Sequence, residues 1–565
     1  MTESVINHNR GVEAQVAMKP FLMTEQKKER YTRQGFWGLP TLNDIFEKNA
    51  ALHPDKEIFV DSATRVTFSE AKKYVDRLAL GLVALGLKKD EVLVLQLPNV
   101  VEAALLRLAA NGAGVLALPI MIAFNSNEVR HILGQSDARA IAIPRRLGDR
   151  DYFQMLQEMR SDLPNLEHVL VIGDDVPPGC ISVKEMMQHP IENDFPSDFL
   201  KGKNIDPWEV QELGTSSGST GLPKISENYG WHQLVGHALI KAWKLTQDDK
   251  VGLPVPFMGG IANNAWTSII CRPCTLAFLE KFSPTDALKF IEKEKITVFL
   301  GVPAIGEMLV RAENLDRYDL RSLRIYFASG APMPPSLADE VEAKLGCTVV
   351  GLLGNTDFGP ISCASVDDSV EKRRSSVGKL FPGNEVRIVD ENGNDVPPGG
   401  KGELLCRGPY SQTGYYKMPE ATLDVYGGDM DGWFRSGDLA QLDEEGYLHI
   451  VGRLKDQIKR GAMAISPPEI EDLLRTHPKV REVAVVGMPD PIFGEKVCAF
   501  VIPSSGALLS FEEMVAFLRE KKLATFKLPE RLEIIDKFPA VAGQKISKKA
   551  LTEMVTAKLK QEGKI

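Results

Sequence analysis

Thr215-Ser216-Ser217-Gly218-Ser219-Thr220-Gly221-Leu222-Pro223-Lys224 follows a short strand and gathers hydroxyls, two glycines and a lysine into one segment. Glycines allow backbone N–H groups to face an anion, hydroxyls donate further bonds, and the lysine supplies a point charge. A flexible Ser/Gly linker rarely ends in Gly-x-Pro-Lys. A Walker loop needs GxxxxGK followed by Ser or Thr, and this segment fails that spacing, which disfavours a P-loop kinase or ATPase.

Outward from this loop, short apolar runs alternate with helical stretches. Upstream they occupy 91–97, 115–121, 140–144 and 168–173; downstream, 251–256, 297–303, 324–330 and 348–354. Such runs, bounded by Gly and Pro, predict an α/β fold with buried, mainly parallel sheets. Ser283-Pro284 predicts a capped helix over 285–295, and Pro334-Pro335 one over 336–345 that closes on Gly346.

From about residue 382 the texture turns to hairpins. One is predicted over 385–396 around Glu391-Asn392-Gly393, another over 440–451 around Glu444-Glu445-Gly446. After Lys455 a small α+β unit follows, with a helix over 468–475, strands over 483–487 and 496–503, and a capping box Ser510/Glu513 opening a helix over 511–521. The domains expected are therefore an N-terminal body, 1–454, and a C-terminal unit, 455–565. Residues 455–565 hold 19 Lys+Arg against 15 Asp+Glu, a net of +4; the whole chain carries −9, so 1–454 carries −13. A slightly basic unit beside an acidic body suits a cap over an anionic ligand.

With 565 residues, 44% hydrophobic and 25% charged, the chain is an ordinary globular protein of several packing units. Its mild negative charge offers no broad field for nucleic acid or anionic lipid. Seven scattered cysteines read as reduced thiols of a cytoplasmic protein. Cys271 and Cys274 form one CxxC with no second pair to complete a zinc site, so two thiols beside a strand is the favoured reading. Residues 1–20 lack the apolar core of a signal peptide. The most apolar stretch, 100–124, is interrupted by Glu102, Arg107, Asn111 and Pro119 and reads as a core helix and strand rather than a membrane span.

Two further groups carry chemistry. Asp438 and Arg453 lie equidistant from the centre of the turn between Glu445 and Gly446, so simple antiparallel pairing sets them opposite each other at the hairpin's open end. A carboxylate there can accept both hydroxyls of a ribose, although on the spacing alone a plain cross-strand ion pair is the favoured reading. Near the C-terminus, Gln544-Lys545-Ile546-Ser547-Lys548-Lys549 could aim one lysine at a phosphorus centre during displacement.

Together these segments resemble the acyl-adenylate-forming (AMP-binding) superfamily, which includes acyl-CoA synthetases, aryl acid–AMP ligases, peptide-synthetase adenylation domains and luciferases. The likeness runs from about Thr41 to Leu551 with the motifs in family order. The family phosphate loop is similar to Ser217, Gly218, Ser219, Thr220, Gly221 and Lys224. The adenine-site segment is similar to Ser329-Gly330-Ala331-Pro332, and the Gly-x-Thr-Glu motif to Gly354-Asn355-Thr356-Asp357. Gly432-Trp433-Phe434-Arg435-Ser436-Gly437-Asp438 and Gly452-Arg453-Leu454-Lys455-Asp456 follow, and Lys545 matches the C-terminal catalytic lysine. Six matches in order argue against a chance resemblance.

The resemblance implies a carboxylate attacking the α-phosphorus of ATP, then a thiol, usually that of CoA, displacing AMP. Thr220 and its loop neighbours would hold the β- and γ-phosphates, Thr356 the α-phosphate, Asp357 Mg²⁺, Asp438 the ribose and Lys545 the reacting oxygens. The C-terminal domain would rotate about Lys455, bringing a pantetheine channel past Gly461 and Ala462. The partners implied are a small carboxylic acid, ATP and CoA, with a homodimer left open.

Several positions depart from the family pattern: Asp357 for glutamate, Leu353 for an aromatic residue, Gln544 for glycine, Ile225-Ser226 for Gly-Val and Ala462 for glycine. Asp357 keeps the charge with a shorter reach; Ala462 adds a methyl to the pantetheine route. Parts of the chain, including 31–37, 408–410 and 455–461, are most similar to aryl acid–AMP ligases. Those enzymes read a ring hydroxyl with a polar His-Asn pair, and Phe257-Met258 stand at the corresponding positions. An apolar pair does not compensate the burial of a hydroxyl. An apolar acid, aromatic, alicyclic or medium-chain, is therefore expected, with Phe257, Met258, Gly259 and Val302 lining its pocket. A ligase loading the pantetheine of a carrier protein is the alternative.

Overall fold

Continuous apolar runs become strands covered on both faces. In the computed structural model, which describes residues 23–215, 222–229, 232–411, 414–426, 433–461, 463–541 and 545–565, Ala140–Pro144 is buried at every position, as are Val92–Leu95 and Leu116–Pro119. These three join His168–Ile172 and Ile181–Ser182 in an all-parallel sheet ordered Leu116–Pro119, Val92–Leu95, Ala140–Pro144, His168–Ile172, Ile181–Ser182.

A second, nine-stranded sheet has a parallel centre. Glu57–Val60, Thr275–Phe278, Lys250–Leu253, Val298–Gly301, Ile325–Ala328 and Thr348–Asn355 lie side by side in that order. Antiparallel strands close its edges: Arg65–Thr67 on one side, Gly359–Cys363 and then Lys379–Leu380 on the other. The helix Val101–Gly112 touches strands of both parallel sheets, and from Val101 to Ala110 every residue but Glu102 is buried. A helix apolar on nearly all sides belongs between layers. Among the described residues no helix is long and apolar enough to cross a membrane.

The expected helix ends are present. Ser283 Oγ accepts from Asp286 N at 3.0 Å ahead of Pro284–Glu294, and Gly346, at φ +69°, ends Pro335–Leu345. The expected Ser510/Glu513 box is only half made. Ser510 Oγ accepts from Glu513 N at 3.1 Å, but the Glu513 carboxylate is taken by Lys479 Nζ at 2.8 Å.

The β-rich part is an antiparallel sheet ordered Glu385–Val389, Gly402–Arg407, Phe434–Leu442, Leu448–Arg453. Here the hairpin predicted over 385–396 is corrected. The hairpin forms but is shorter, with Asp390 N donating to Asn394 O at 2.8 Å and Val396 N to Ile388 O at 2.9 Å about the single bridge Val389–Asp395. Pro397-Pro398 cannot donate to a ladder and end this short pairing, while the opposite edge of Glu385–Val389 pairs along its length with Gly402–Arg407.

The C-terminal sheet runs Met463–Ile465, Ile458–Arg460, Gly494–Pro503, Val480–Asp490, with Arg531–Ile534 also beside Gly494–Pro503. The helices Pro467–Arg475 and Phe511–Glu520 share one apolar core with this sheet, and Lys548–Gln561 shares another. All seven cysteines are free thiols. Burial pushes the Cys271 and Cys274 thiols up to about 12, the direction expected for thiols packed in a core.

Candidate active site

In an open parallel sheet, ligands lie beyond the carboxyl ends of the strands, where the strand order reverses. Here the chain passes from Lys250–Leu253 to a neighbour on one side, Thr275–Phe278, and then to the neighbour on the other, Val298–Gly301. The crevice so defined receives Phe257–Ile261 from one strand and Val302 from the next. Ser329-Gly330-Ala331-Pro332 leave the following strand, and Gly354-Asn355-Thr356-Asp357 the one after it. The topology thus gathers four sequence-distant motifs at one edge.

Gly330 stands at φ +82°, where a Cβ would come within 2.9 Å of Ile261 Cδ1 and 3.6 Å of Val302 Cγ1. Its conformation and close neighbours both call for glycine. Ser329 Oγ donates to Leu352 O at 3.3 Å, tying this turn to the next strand. Gly354–Asp357 form the bend between Thr348–Asn355 and Gly359–Cys363, and Asn355 Oδ1 accepts from Phe358 N at 2.7 Å across it.

Beyond the strand Lys250–Leu253, Phe257 and Met258 are buried. The Phe257 ring packs edge-on to Trp266 and Phe278, and its N–H donates to Asn99 Oδ1 at 2.7 Å. Gly259 lies against Met121: a Cβ there would be 3.3 Å from Met121 Sδ. Phe257 thus belongs to the core, while Gly259, Ile261, Val302 and Gly330 lie nearer the surface at the strand ends.

Asp357 is joined to the phosphate-loop segment by Tyr415. The Tyr415 hydroxyl donates to Asp357 Oδ1 at 2.6 Å, and Lys224 Nζ lies 4.5 Å from the centre of the Tyr415 ring. Residues 414–416 follow the strand Ile225–Asn228, with Glu227 N donating to Gly414 O and Tyr416 N to Ile225 O. Burial, and then the adjacent Asp357 carboxylate, push the Tyr415 hydroxyl far above its ordinary range, so it remains a donor. Tyr426 donates to Asp357 O at 3.1 Å.

Asp438 and Arg453 face each other across two strands, with Arg453 Nε 2.8 Å from Asp438 Oδ1. The expected pair forms, by a less simple route. Leu442 pairs with Leu448, one step short of symmetry about 445–446, and a bulge beyond Leu439 restores the register. The same strand is docked beside Asp357, because Phe434 packs on Phe358 and Tyr426.

Ser217, Gly218, Ser219, Thr220 and Gly221 lie outside the described residues, as does Ala462. Lys224 stands immediately ahead of Ile225–Asn228, which pairs antiparallel with Glu212–Thr215. Lys455 is exposed in the short turn Leu454–Asp456 between the antiparallel sheet and the C-terminal one. Gly461, at φ +58°, donates from N to Phe493 O at 2.7 Å. Lys545 is described in its backbone only, in the strand Lys545–Ile546 paired with Ala540–Val541.

The AMP-binding enzyme family matches residues 46–416, and the AMP-binding enzyme C-terminal domain matches 469–545. The chain belongs to the AMP-binding enzyme family. It is an ATP-dependent, AMP-forming ligase that adenylates acyl or aryl acids. The enzyme is 32% identical over 546 residues to the 2,3-dihydroxybenzoate-AMP ligase of Bacillus subtilis (strain 168), covering 95% of this chain and 97% of that one. It is 28% identical over 547 residues to the medium-chain fatty-acid–CoA ligase of Escherichia coli (strain K12), covering 95% and 94%. ATP-bound MatB from Rhodopseudomonas palustris shares its fold with a TM-score of 0.78 at 26% identity, over 91% of this chain and 99% of that one.

Tyr415 was not among the residues the sequence singled out. Its only local signal is an aromatic pair after Gly414, since its partners lie at 224 and 357. Tyr415→Phe keeps the ring under Lys224 and removes the bond to Asp357. A hydrogen bond to a charged group contributes about 1.5–3 kcal/mol, so kcat/KM for ATP in carboxylate-dependent pyrophosphate exchange should fall by about 10-fold or more. Exchange at the wild-type rate would show that Asp357 is positioned without this hydroxyl.

Proposed function

We propose that this enzyme is an AMP-forming acyl-CoA synthetase for an apolar carboxylic acid, aromatic, alicyclic or medium-chain. The observation that carries the reading is the apolar character of the strand ends, where Gly259 lies against Met121, and Gly330 against Ile261 and Val302. Such a surface takes a ring or chain and leaves a ring hydroxyl without a partner. The medium-chain fatty-acid–CoA ligase of Escherichia coli, similar along nearly the whole chain, supports both the acid class and the acceptor.

In the first step a carboxylate oxygen of the acid attacks the α-phosphorus, and the bond to pyrophosphate breaks. Both reactants are anions, so the site must align them and offset their charge. Residues 217–221 with Lys224 would bind the β- and γ-phosphates, Thr356 the α-phosphate, and Asp438 the ribose beside Arg453. Gly354, Asn355 and Ser329–Pro332 would flank the adenine.

Among the described residues no group of three or more His, Cys, Asp or Glu could hold a metal. Mg²⁺ commonly uses one or two carboxylates together with substrate phosphates and water. Asp357 fits that role, since among the described residues only the Tyr415 hydroxyl bonds its carboxylate. When bound, Mg²⁺ supplies charge to the phosphate oxygens; Asp357 orients it, and Tyr415 fixes Asp357.

In the second step the sulfur of CoA attacks the acyl carbon and the bond to AMP breaks. We assign residues 1–454 to a body and 455–565 to a cap that turns about Lys455, withdrawing Lys545 and admitting pantetheine past Gly461 and Ala462. The free thiols suit a cytoplasmic enzyme.

A second reading, loading of a carrier protein's pantetheine, is favoured by one feature of the sequence: Ala462 carries a methyl where the family pattern has glycine. Incubation with ATP, benzoate, cyclohexane carboxylate or octanoate, and either CoA or a holo-carrier protein separates the two. The expected product is the CoA thioester; thioester on the carrier and none on CoA would reject the main reading.

A further inference from the structure

The helix Val101–Gly112, sealed between two sheets, carries Arg107 at 4% exposure. A buried guanidinium persists only where it is paired and hydrogen-bonded. Its partners come from two distant parts of the chain. Nε donates to Glu212 Oε1 at 2.5 Å and Nη2 to Glu212 Oε2 at 2.6 Å, while Nη2 also donates to Asn263 Oδ1 at 2.7 Å. Nη1 has no partner among the described residues, so Glu212 and Asn263 fix the group. The guanidinium also lies 5.0 Å from the Trp266 ring centre and 5.6 Å from that of Phe257.

Each partner sits at the root of one substrate segment. Glu212 opens the strand Glu212–Thr215, which runs directly into 216–221. Asn263 is in the first turn of Ala262–Cys271, the helix that follows Phe257–Ile261. The same helix places Trp266 against Phe257. His232 Nε2 lies 3.7 Å from Glu212 Oε2, beyond hydrogen-bond range, and burial, then Arg107, hold its imidazole down to about 3.

We propose that Arg107 is a positioning residue that couples ATP and acid binding, holding the root of the phosphate loop through Glu212 and the acid-side segment through Asn263. In-line attack depends on the distance between carboxylate and α-phosphorus, hence on how the two segments sit relative to each other. The proposal rests on the adenylation reading of the site.

The decisive variant is Asn263→Ala, on a half-buried helical residue on the acid side. Besides a higher acid KM, it should raise the ATP KM in pyrophosphate exchange by about 5-fold, the size of a modest coupling between sites. Glu212→Gln should raise both KM values, and the double variant should fall short of the product of the single effects by at least about 3-fold, because one link is cut twice. An unchanged ATP KM in Asn263→Ala, or a product of independent effects, overturns the coupling. Should Glu212→Gln fail to fold, the ATP KM of Asn263→Ala decides alone. Calorimetric ATP binding to wild type and Asn263→Ala, with and without benzoate, reads the same coupling without turnover. A wild type that binds but does not exchange would count against the activity, whereas equal benzoate effects on ATP affinity in both proteins would count against Arg107.

Discussion

Lys545→Ala should lower carboxylate-dependent pyrophosphate exchange by about 100- to 1,000-fold, the usual cost of removing one preorganised donor from a site of developing charge. Transfer from a supplied acyl-adenylate to CoA should stay within about threefold of wild type, since that half-reaction makes no pentacovalent phosphorus. The backbone around Lys545 is well anchored. Lys545–Ile546 pairs with Ala540–Val541, Ser547 N donates to Pro539 O at 2.8 Å, and Ser547 caps Lys548–Gln561. That helix is held by buried Leu551, Val555 and Leu559, so truncating one side chain ahead of it leaves the unit folded. The neighbouring cation is no substitute: Lys548 Nζ lies 2.7 Å from Glu471 Oε1. Undiminished exchange would remove Lys545 from the chemistry; equal loss in both half-reactions would contradict a cap that serves them in turn.

Much of the fold was legible because its physics is local. Ala140–Pro144 and Ile325–Ala328 are unbroken apolar runs since both faces of each strand are covered, and Ser283-Pro284 announces a helix through groups within one turn. Reading failed where a distant partner outcompetes a near one. Asn392-Gly393 marks a turn, yet its own ladder is cut short at Pro397-Pro398, and the long pairing is with Gly402–Arg407 on the strand's other edge. Glu513 follows the capping-box spacing but binds Lys479. The Asp438–Arg453 pairing was legible, though its bulge was not, because a single-residue shift leaves no mark in the sequence. Within the site, the motifs at strand ends could be placed from alternation alone. Tyr415 and Arg107 could not, since each owes its role to segments more than 50 residues away.

Asp438→Ala should raise the ATP KM by about 100-fold while leaving the acid KM nearly unchanged. Two ribose hydroxyls donating to one carboxylate are together worth about 3 kcal/mol, within the range for bonds to a charged acceptor. The fold should tolerate the change. Arg453, released from its 2.8 Å contact, is 39% exposed at its side chain and can turn to water, and an ion pair with one exposed partner adds little to stability. Arg453→Gln leaves the carboxylate in place, so its ATP KM should rise by only about 5- to 10-fold. The sharpest check uses 2′,3′-dideoxy-ATP. Wild type should lose with this analogue about what Asp438→Ala loses with ATP, and the variant should lose little more, because substrate and protein changes delete the same bonds. If the losses multiply instead, Asp438 does not hold the ribose. The carboxylate would then be the partner of a cross-strand ion pair at the end of a hairpin, the plain alternative that the spacing of Asp438 and Arg453 alone could not separate from nucleotide binding.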